Sequence, residues 1–123
     1  MMKSALVKVS TLVCMLGIWS SAAADYREVW TCTMNDGKTM DDVRAANSKW
    51  VKFINANVDG GGITSHIITS VVGNASTNSF GYVDTFPTLE SWAAAKSSAE
   101  GNEEGEAITA ELGEVAECSD NRL

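Results

Sequence analysis

Strand-like and helix-like segments alternate along this chain in an order that few folds can accommodate. Residues 28–34 are rich in β-branched and aromatic side chains and lead into a turn sequence at 35–37, which predicts a first strand. Residues 63–72 and 79–86 have the same character and predict two more strands, joined by a hairpin loop over 73–78. The helix-like segments lie before and after this pair.

The first helix has a sequence signal at each end. Thr39 is a suitable N-cap, and Asp42 three residues later completes a carboxylate form of the capping box. Apolar side chains then recur at helical spacing on one face, and the glycines at 60–62 end the segment near Asn57. That apolar face comprises Met40, Val43, Ala46, Trp50, Phe53 and Ile54.

The last third of the chain completes the pattern. A second helix is predicted over 89–98, after Pro87 ends the third strand. An acidic, glycine-punctuated stretch over 100–106 predicts a linker to a short helical segment at 108–112, and residues 115–119 predict a fourth strand. The order β-α-β-β-α-β, with one short extra helix, is typical of an α+β, ferredoxin-like sandwich with an antiparallel sheet and helices on one face.

Residues 1–24 have the pattern of a secretory signal peptide. Two lysines precede an apolar run, and small residues then end at a cleavage site after Ala24. The mature protein is therefore expected to be a single α+β domain over 25–123, in the periplasm or secreted. The apolar run is too short to span a bilayer, so no membrane insertion is expected after cleavage.

The charge of the chain narrows the classes of partner. The formal net charge is −7, and removal of the two leader lysines makes the mature chain more acidic still. Such a surface repels phosphate backbones and anionic membranes, which argues against nucleic-acid and lipid partners.

Two cysteines, Cys32 and Cys118, remain near opposite ends of the mature chain. In an oxidising compartment such a pair predicts a disulfide; the alternative is two buried thiols. Closing so long a loop contributes roughly 4–5 kcal/mol in the chain-entropy account. The predicted fold places the fourth strand antiparallel beside the first, which would bring the two sulfurs together.

Three consecutive segments, FGYVD at 80–84, TFP at 85–87 and LESWAAAK at 89–96, resemble the strand–linker–helix stretch of the dimeric α+β-barrel superfamily. The chain is also similar to small exported bacterial proteins of uncharacterised function. The resemblance implies a homodimer joined through its sheets, with a pocket between each sheet and its helices. The superfamily includes cofactor-free monooxygenases and ligand-binding proteins. Many members carry a histidine in the second helix, where this chain has Lys96.

Five residues are candidates for lining such a pocket: Asn47, Trp50, His66, Tyr82 and Asp84. A buried amide or carboxylate among apolar side chains must find partners, and a ligand can supply them. For Asn47 and Asp84 the alternative is hydrogen bonding to neighbouring protein groups. For Trp50 the alternative is core packing, and for His66 a structural role on its strand.

Three functions remain open from the sequence. The first is binding of a small, partly apolar ligand in the helix–sheet pocket. The second is an enzyme, either a cofactor-independent monooxygenase or a haem-handling protein, with His66 or Asp84 as proton acceptor. The third is an interaction module that uses only its dimeric sheet. No cofactor is expected and, because the chain has a single histidine, no histidine-rich metal site either.

Overall fold

The computed structural model describes residues 25–71, 73 and 77–123. The expected signal peptide over 1–24 lies outside the described residues, so it stays a prediction. Within the described ranges, no helix combines the length and the apolar character that crossing a membrane requires.

The strands are β1 Tyr26–Met34, β2 Thr64–Ile68, β3 Ser79–Phe86 and β4 Ala116–Arg122. They form one antiparallel sheet in the order β2-β3-β1-β4. The central pair, β1 and β3, runs in register from Tyr26 opposite Phe86 to Thr33 opposite Ser79. This topology confirms the predicted ferredoxin-like α+β fold, with the fourth strand beside the first.

The helices are α1 Met40–Asn57, α2 Leu89–Ser97 and α3 Glu103–Val115. The start of α1 confirms the predicted capping box. The Asp42 carboxylate accepts a 2.8 Å hydrogen bond from the backbone N–H of Thr39, and the Thr39 hydroxyl oxygen accepts one from the backbone N–H of Asp42. The N-terminus of α2 is closed in the same way by Thr88 and Ser91.

The third helix is longer than the sequence predicts, because 103–106 is its first turn and not a linker. The Asn102 side-chain oxygen accepts a 3.1 Å hydrogen bond from the backbone N–H of Gly105 and so caps the helix. Three carboxylates in that turn, Glu103, Glu104 and Glu106, interact favourably with the positive end of the helix dipole. Gly105 also permits close packing, since a Cβ there would lie 2.7 Å from the Phe53 ring.

The second strand is shorter than predicted, ending at Ile68 and not at residue 72. Ile68 lies opposite Gly81 in the last pair between β2 and β3, and Thr69, Ser70 and Val71 beyond it are exposed. The high β propensity of this segment is therefore not enough to extend the pairing of β2 with β3 beyond Ile68.

The disulfide between Cys32 and Cys118 is present, as predicted, and the two residues face each other across β1 and β4. Immediately beyond this pair the register shifts by one residue between Thr31 and Cys32. Ser119 is left unmatched, so Trp30 lies opposite Asn121.

The core consists of two apolar clusters between the sheet and the helices. One contains Cys32, Val43, Ala46, Phe80, Tyr82, Val115 and Ala116. The other contains Phe53, Ile54, Val58, Ile63, Phe86, Ala95 and Ile108. Trp30 packs against the first cluster and Trp50 against the second, and both indole rings border the same cavity.

Candidate functional site

A cavity of about 340 Å³ lies between the sheet and the three helices. Aromatic and apolar side chains form most of its wall, and a few polar groups converge on it. Its lining residues are Trp30, Asn47, Trp50, Tyr82, Asp84, Lys96, Thr109, Leu112, Gly113, Ala116 and Cys118. A concave apolar site with a few placed polar groups is the usual form of a small-molecule site.

The polar part of the site is a row of side chains across the sheet. In the strand register Glu28 of β1 lies opposite Asp84 of β3, which in turn lies opposite Ser65 of β2. Strand alternation brings these positions to the same sheet face, where the helices cover them. The next row contains Trp30, Tyr82 and Ile67. The sheet thus presents a charged row beside an aromatic one.

Glu28 is a carboxylate with 1% of its surface exposed. Its Oε2 forms an ion pair with Lys96 Nζ from α2, and its Oε1 accepts a 2.9 Å hydrogen bond from the Asn121 amide. Lys96 Nζ also lies 4.9 Å from the centre of the Trp30 ring. The ammonium therefore has both a carboxylate and an aromatic face as neighbours, an arrangement that stabilises a cation away from water.

Asp84 is 4% exposed and differs from Glu28 in its partners. Among the described residues, none provides a hydrogen bond to its Oδ1. Burial raises the pKa of this carboxyl to about 6; a hydrogen bond from Ser65 and the charge of Lys96 lower it, and the charge of Glu28 raises it. Lys96 is thus the ion-pair partner of Glu28 and a nearby positive charge for Asp84, whose pKa is about 6.

Tyr82 lies between the carboxylates and the aromatic wall. Its ring meets the Phe80 ring edge to face, with centroids 5.1 Å apart. Its hydroxyl is buried, and no group in the described part of the chain forms a hydrogen bond with it. Burial first, and then the charge of Asp84, raise its pKa to about 12, so the hydroxyl keeps its proton and can donate it.

Four of the five residues selected from the sequence line this cavity: Asn47, Trp50, Tyr82 and Asp84. The Asn47 amide also bonds the Ser65 hydroxyl, at 3.0 and 3.2 Å, so it has a protein partner as well as a place in the wall. His66 is elsewhere. It lies opposite Val83, on the sheet face turned away from the helices, and is exposed.

Glu28, Trp30 and Lys96 were not selected from the sequence as site residues. Glu28 and Trp30 occupy alternate positions of β1, so the strand period could have placed them on one face. Cys32 lies on the same face of β1 and is itself buried, so this face is the covered one. The pairing of Lys96 with Glu28 joins residues far apart in sequence, and no local pattern indicates it.

A wider groove of about 400 Å³ lies between α1 and α3 on the outer surface. It is lined by exposed residues such as Lys38, Asp42 and Glu114. Among the residues that the structure describes, no three His, Cys, Asp or Glu side chains are grouped so that they could hold a metal ion.

Comparisons with known proteins place the fold. Neither a protein-family model nor a curated protein matches this chain. A conserved protein of unknown function from Bacteroides thetaiotaomicron, described as a possible oxidoreductase, superposes with a TM-score of 0.53. It is 14% identical and covers 82% of this chain and 98% of its own.

SnoaB, a cofactor-independent oxygenase from Streptomyces nogalater, superposes with a TM-score of 0.58 at 10% identity, over 82% of this chain and 93% of its own. A dimeric ferredoxin-like protein of unknown function from Thermobifida fusca superposes with a TM-score of 0.47 at 15% identity, over 80% of this chain and 85% of its own. The first two likenesses show that this chain shares its fold with those two proteins.

Proposed function

We propose that this protein binds a small, partly apolar molecule in the cavity between its sheet and its helices. The observation that carries the proposal is the pair of buried polar atoms on the cavity wall, Asp84 Oδ1 and Tyr82 Oη, for which the described residues provide no hydrogen bond. A buried polar group left unpaired costs about 1–3 kcal/mol, so an occupant that bonds both atoms would recover that cost.

The shape and lining of the cavity support the same proposal over a purely structural module. Trp30, Trp50 and Leu112 surround the space without filling it. A volume of about 340 Å³ accommodates a molecule of one or two rings, given the usual range of ligand sites.

A plugged variant tests the proposal directly. Gly113 lines the cavity from α3, and a Cβ built on it meets no atom of the described structure within 4 Å. Gly113→Leu is expected to fill part of the cavity, while Gly113→Ala is the matched control. Both variants gain helix propensity, by about 0.5–1 kcal/mol over glycine, but only leucine occupies the space.

The measurement is native mass spectrometry of each variant, purified from the source organism under non-denaturing conditions. We expect a bound small molecule on the wild-type protein and on Gly113→Ala, and loss of that mass from Gly113→Leu. Equal occupancy of the leucine variant, or an empty wild-type protein together with no thermal shift from a panel of small aromatic compounds, would contradict ligand binding in this cavity.

A second candidate function is oxygenation of the bound molecule without a cofactor. It is favoured by the titration of Asp84 near neutral pH within an aromatic cavity, since a carboxylate so placed can accept a proton from a substrate. SnoaB, which has the same fold, is a cofactor-independent oxygenase. His66 lies outside the cavity, so Asp84 would have the role of proton acceptor. Oxygen uptake that Asp84→Ala abolishes and His66→Ala leaves unchanged would support this candidate.

We also infer export and homodimerisation. The disulfide fits an oxidising compartment, and the pattern of residues 1–24 fits a cleaved leader. The sheet face away from the helices carries Val29 and Ile68, which are 38% and 51% exposed. Burying these side chains against a second copy would remove apolar surface from water. N-terminal sequencing of the exported protein and light scattering at several concentrations test the two inferences.

A further inference from the structure

The cavity already holds one alkylammonium group, and it belongs to the protein. Lys96 Nζ pairs with the Glu28 carboxylate and lies 4.9 Å from the centre of the Trp30 ring. Carboxylate and indole together are the environment in which proteins recognise amines and other organic cations. The lysine shows that this wall of the cavity stabilises a primary ammonium.

The adjacent half of the cavity repeats these components without the cation. Asp84 is more than nine-tenths buried, and its Oδ1 accepts no hydrogen bond from any described residue. The Tyr82 and Trp50 rings border the same space. A carboxylate oxygen is an acceptor only, so the missing partner must be a donor.

The charges around this half favour a cationic donor over a neutral or an anionic one. The titratable groups that face Asp84 are Glu28 from β1, Tyr82 from β3 and Lys96 from α2. The other groups on the wall are uncharged: α1 contributes Asn47 and Trp50, α3 contributes Thr109 and Leu112, and Ser65 lies beside Asp84 on β2. Two carboxyls thus face a single ammonium, so an anion would be repelled and a cation would balance the second carboxylate.

We propose that the ligand of this cavity is a small primary amine with an aromatic or apolar body, its ammonium paired with Asp84 and its body held by Trp50 and Tyr82. This inference rests on the proposed ligand-binding function and names its chemical class. Binding would stabilise the ionised form of Asp84 and complete a second carboxylate–ammonium pair beside that of Glu28 and Lys96.

The test compares three probes of similar size that differ in charge: 2-phenylethylamine, 2-phenylethanol and phenylacetate. Their dissociation constants are measured by isothermal titration calorimetry, with quenching of tryptophan fluorescence as a second readout. At about pH 7.5 we expect the amine to bind at least about tenfold more tightly than the alcohol, because its hydrogen bond is charge-assisted, and no binding of the carboxylate.

Two variants separate the proposed contact from general attraction to an acidic protein. Asp84→Asn should reduce the preference for amine over alcohol to within about twofold. Asp36→Asn removes one carboxylate from an exposed turn and should leave that preference unchanged. Near-ultraviolet circular dichroism verifies that both variants are folded. Lowering the pH below about 6 should weaken amine binding to the wild-type protein, since Asp84 is then protonated.

The outcomes distinguish this inference from the function on which it rests. If the alcohol binds as tightly as the amine, or if Asp84→Asn keeps the preference for amine, the cation assignment is wrong while ligand binding stands. If all three probes fail and the plugging experiment finds an empty cavity, ligand binding itself is wrong. A preference for the amine that also disappears in Asp36→Asn would be overall charge attraction and would overturn the assignment.

Discussion

The two faces of the sheet are built from alternate residues of the same strands, yet each has one feature that its surroundings do not favour. On the covered face β1 and β3 bury two carboxyls, Glu28 and Asp84, beside aromatic rings. On the open face the same strands place Val29 and Val83 opposite each other, and Ile68 of β2 lies exposed near them. Two carboxyls are therefore buried among the apolar side chains of the core, while part of the exposed face is apolar.

This difference indicates where each kind of interaction is made. Buried charge is retained where something pairs with it, and on the covered face Lys96 supplies only one partner for two carboxyls. Exposed apolar surface on a sheet face is suited to contact with a partner protein. The covered face is therefore the better candidate for chemistry or ligand binding, and the open face for association with another copy.

The largest expected change in the free energy of unfolding comes from a substitution on the covered face. Phe86 is fully buried at the end of β3, while Thr85 beside it points to the other face. Phe86→Ala should lower the free energy of unfolding by about 3–5 kcal/mol through lost burial and the cavity left behind. Thr85→Ala should change it by less than about 0.5 kcal/mol. Urea denaturation followed by circular dichroism measures both; equal losses would mean that the two faces contribute alike to the core.

The next largest change in the free energy of unfolding is expected from the ionisation of Asp84, and it depends on pH. Burial raises the pKa of Asp84 to about 6 from its usual 3.8, so between those values the folded state binds more protons than the unfolded state. Stability contributed by the protonated carboxyl is therefore present at low pH and is lost as pH rises through 6.

Asp84→Asn should consequently raise the free energy of unfolding by about 2–3 kcal/mol near pH 8, and by much less near pH 4. Thermal unfolding of variant and wild-type protein across this range measures the difference. A gain that is the same at both ends would show that ionisation of Asp84 is not its cause. If Asp84→Asn is no more stable than the wild-type protein at any pH, the cost of burying the Asp84 carboxylate is fully compensated in the wild-type fold.

The smallest effect on folding is expected on the open face. Ile68→Ser and His66→Ala alter exposed side chains of β2 and should change the free energy of unfolding of a monomer by about 0.5 kcal/mol or less. Ile68→Ser should nevertheless weaken self-association, which sedimentation equilibrium measures, because it removes apolar contact area. His66→Ala, which leaves Ile68 in place, is the matched control. A dimer unaffected by Ile68→Ser would place the contact elsewhere.

Local signals predicted the parts of the fold that local chemistry decides. Thr39 and Asp42 mark the start of α1 because both capping bonds lie within four residues. The disulfide between Cys32 and Cys118 was predictable because the strand order and the expected oxidising compartment indicate the same bond. The end of β2 was not, since it depends on where pairing with β3 stops. The N-terminal half of α3 was obscured by Gly105, a poor helix former whose value lies in its packing against Phe53.

The candidate site likewise has residues that the sequence predicts and features that only the structure shows. Asn47, Trp50, Tyr82 and Asp84 could be selected because each is a polar or aromatic residue on a periodic apolar face. The charge balance of the cavity could not, since it depends on Lys96 reaching Glu28 from another element and on Asn121 approaching from the end of the chain. His66 was selected for its chemistry alone, and the pleat of β2 carries it to the open face.

The single unmatched residue in β4 decides which functional group the chain end offers to Glu28. Because Ser119 bulges out, Asn121 faces inward and donates its amide to that carboxylate, while the Asp120 carboxylate instead pairs with Arg122 at the surface. Were the ladder continuous through Ser119, side-chain parity would invert and Asp120 would point inward. A one-residue irregularity thus substitutes a donor for what would have been a third negative group, and deleting Ser119 should keep that choice, because Asn121 would still lie opposite Trp30 in a continuous ladder.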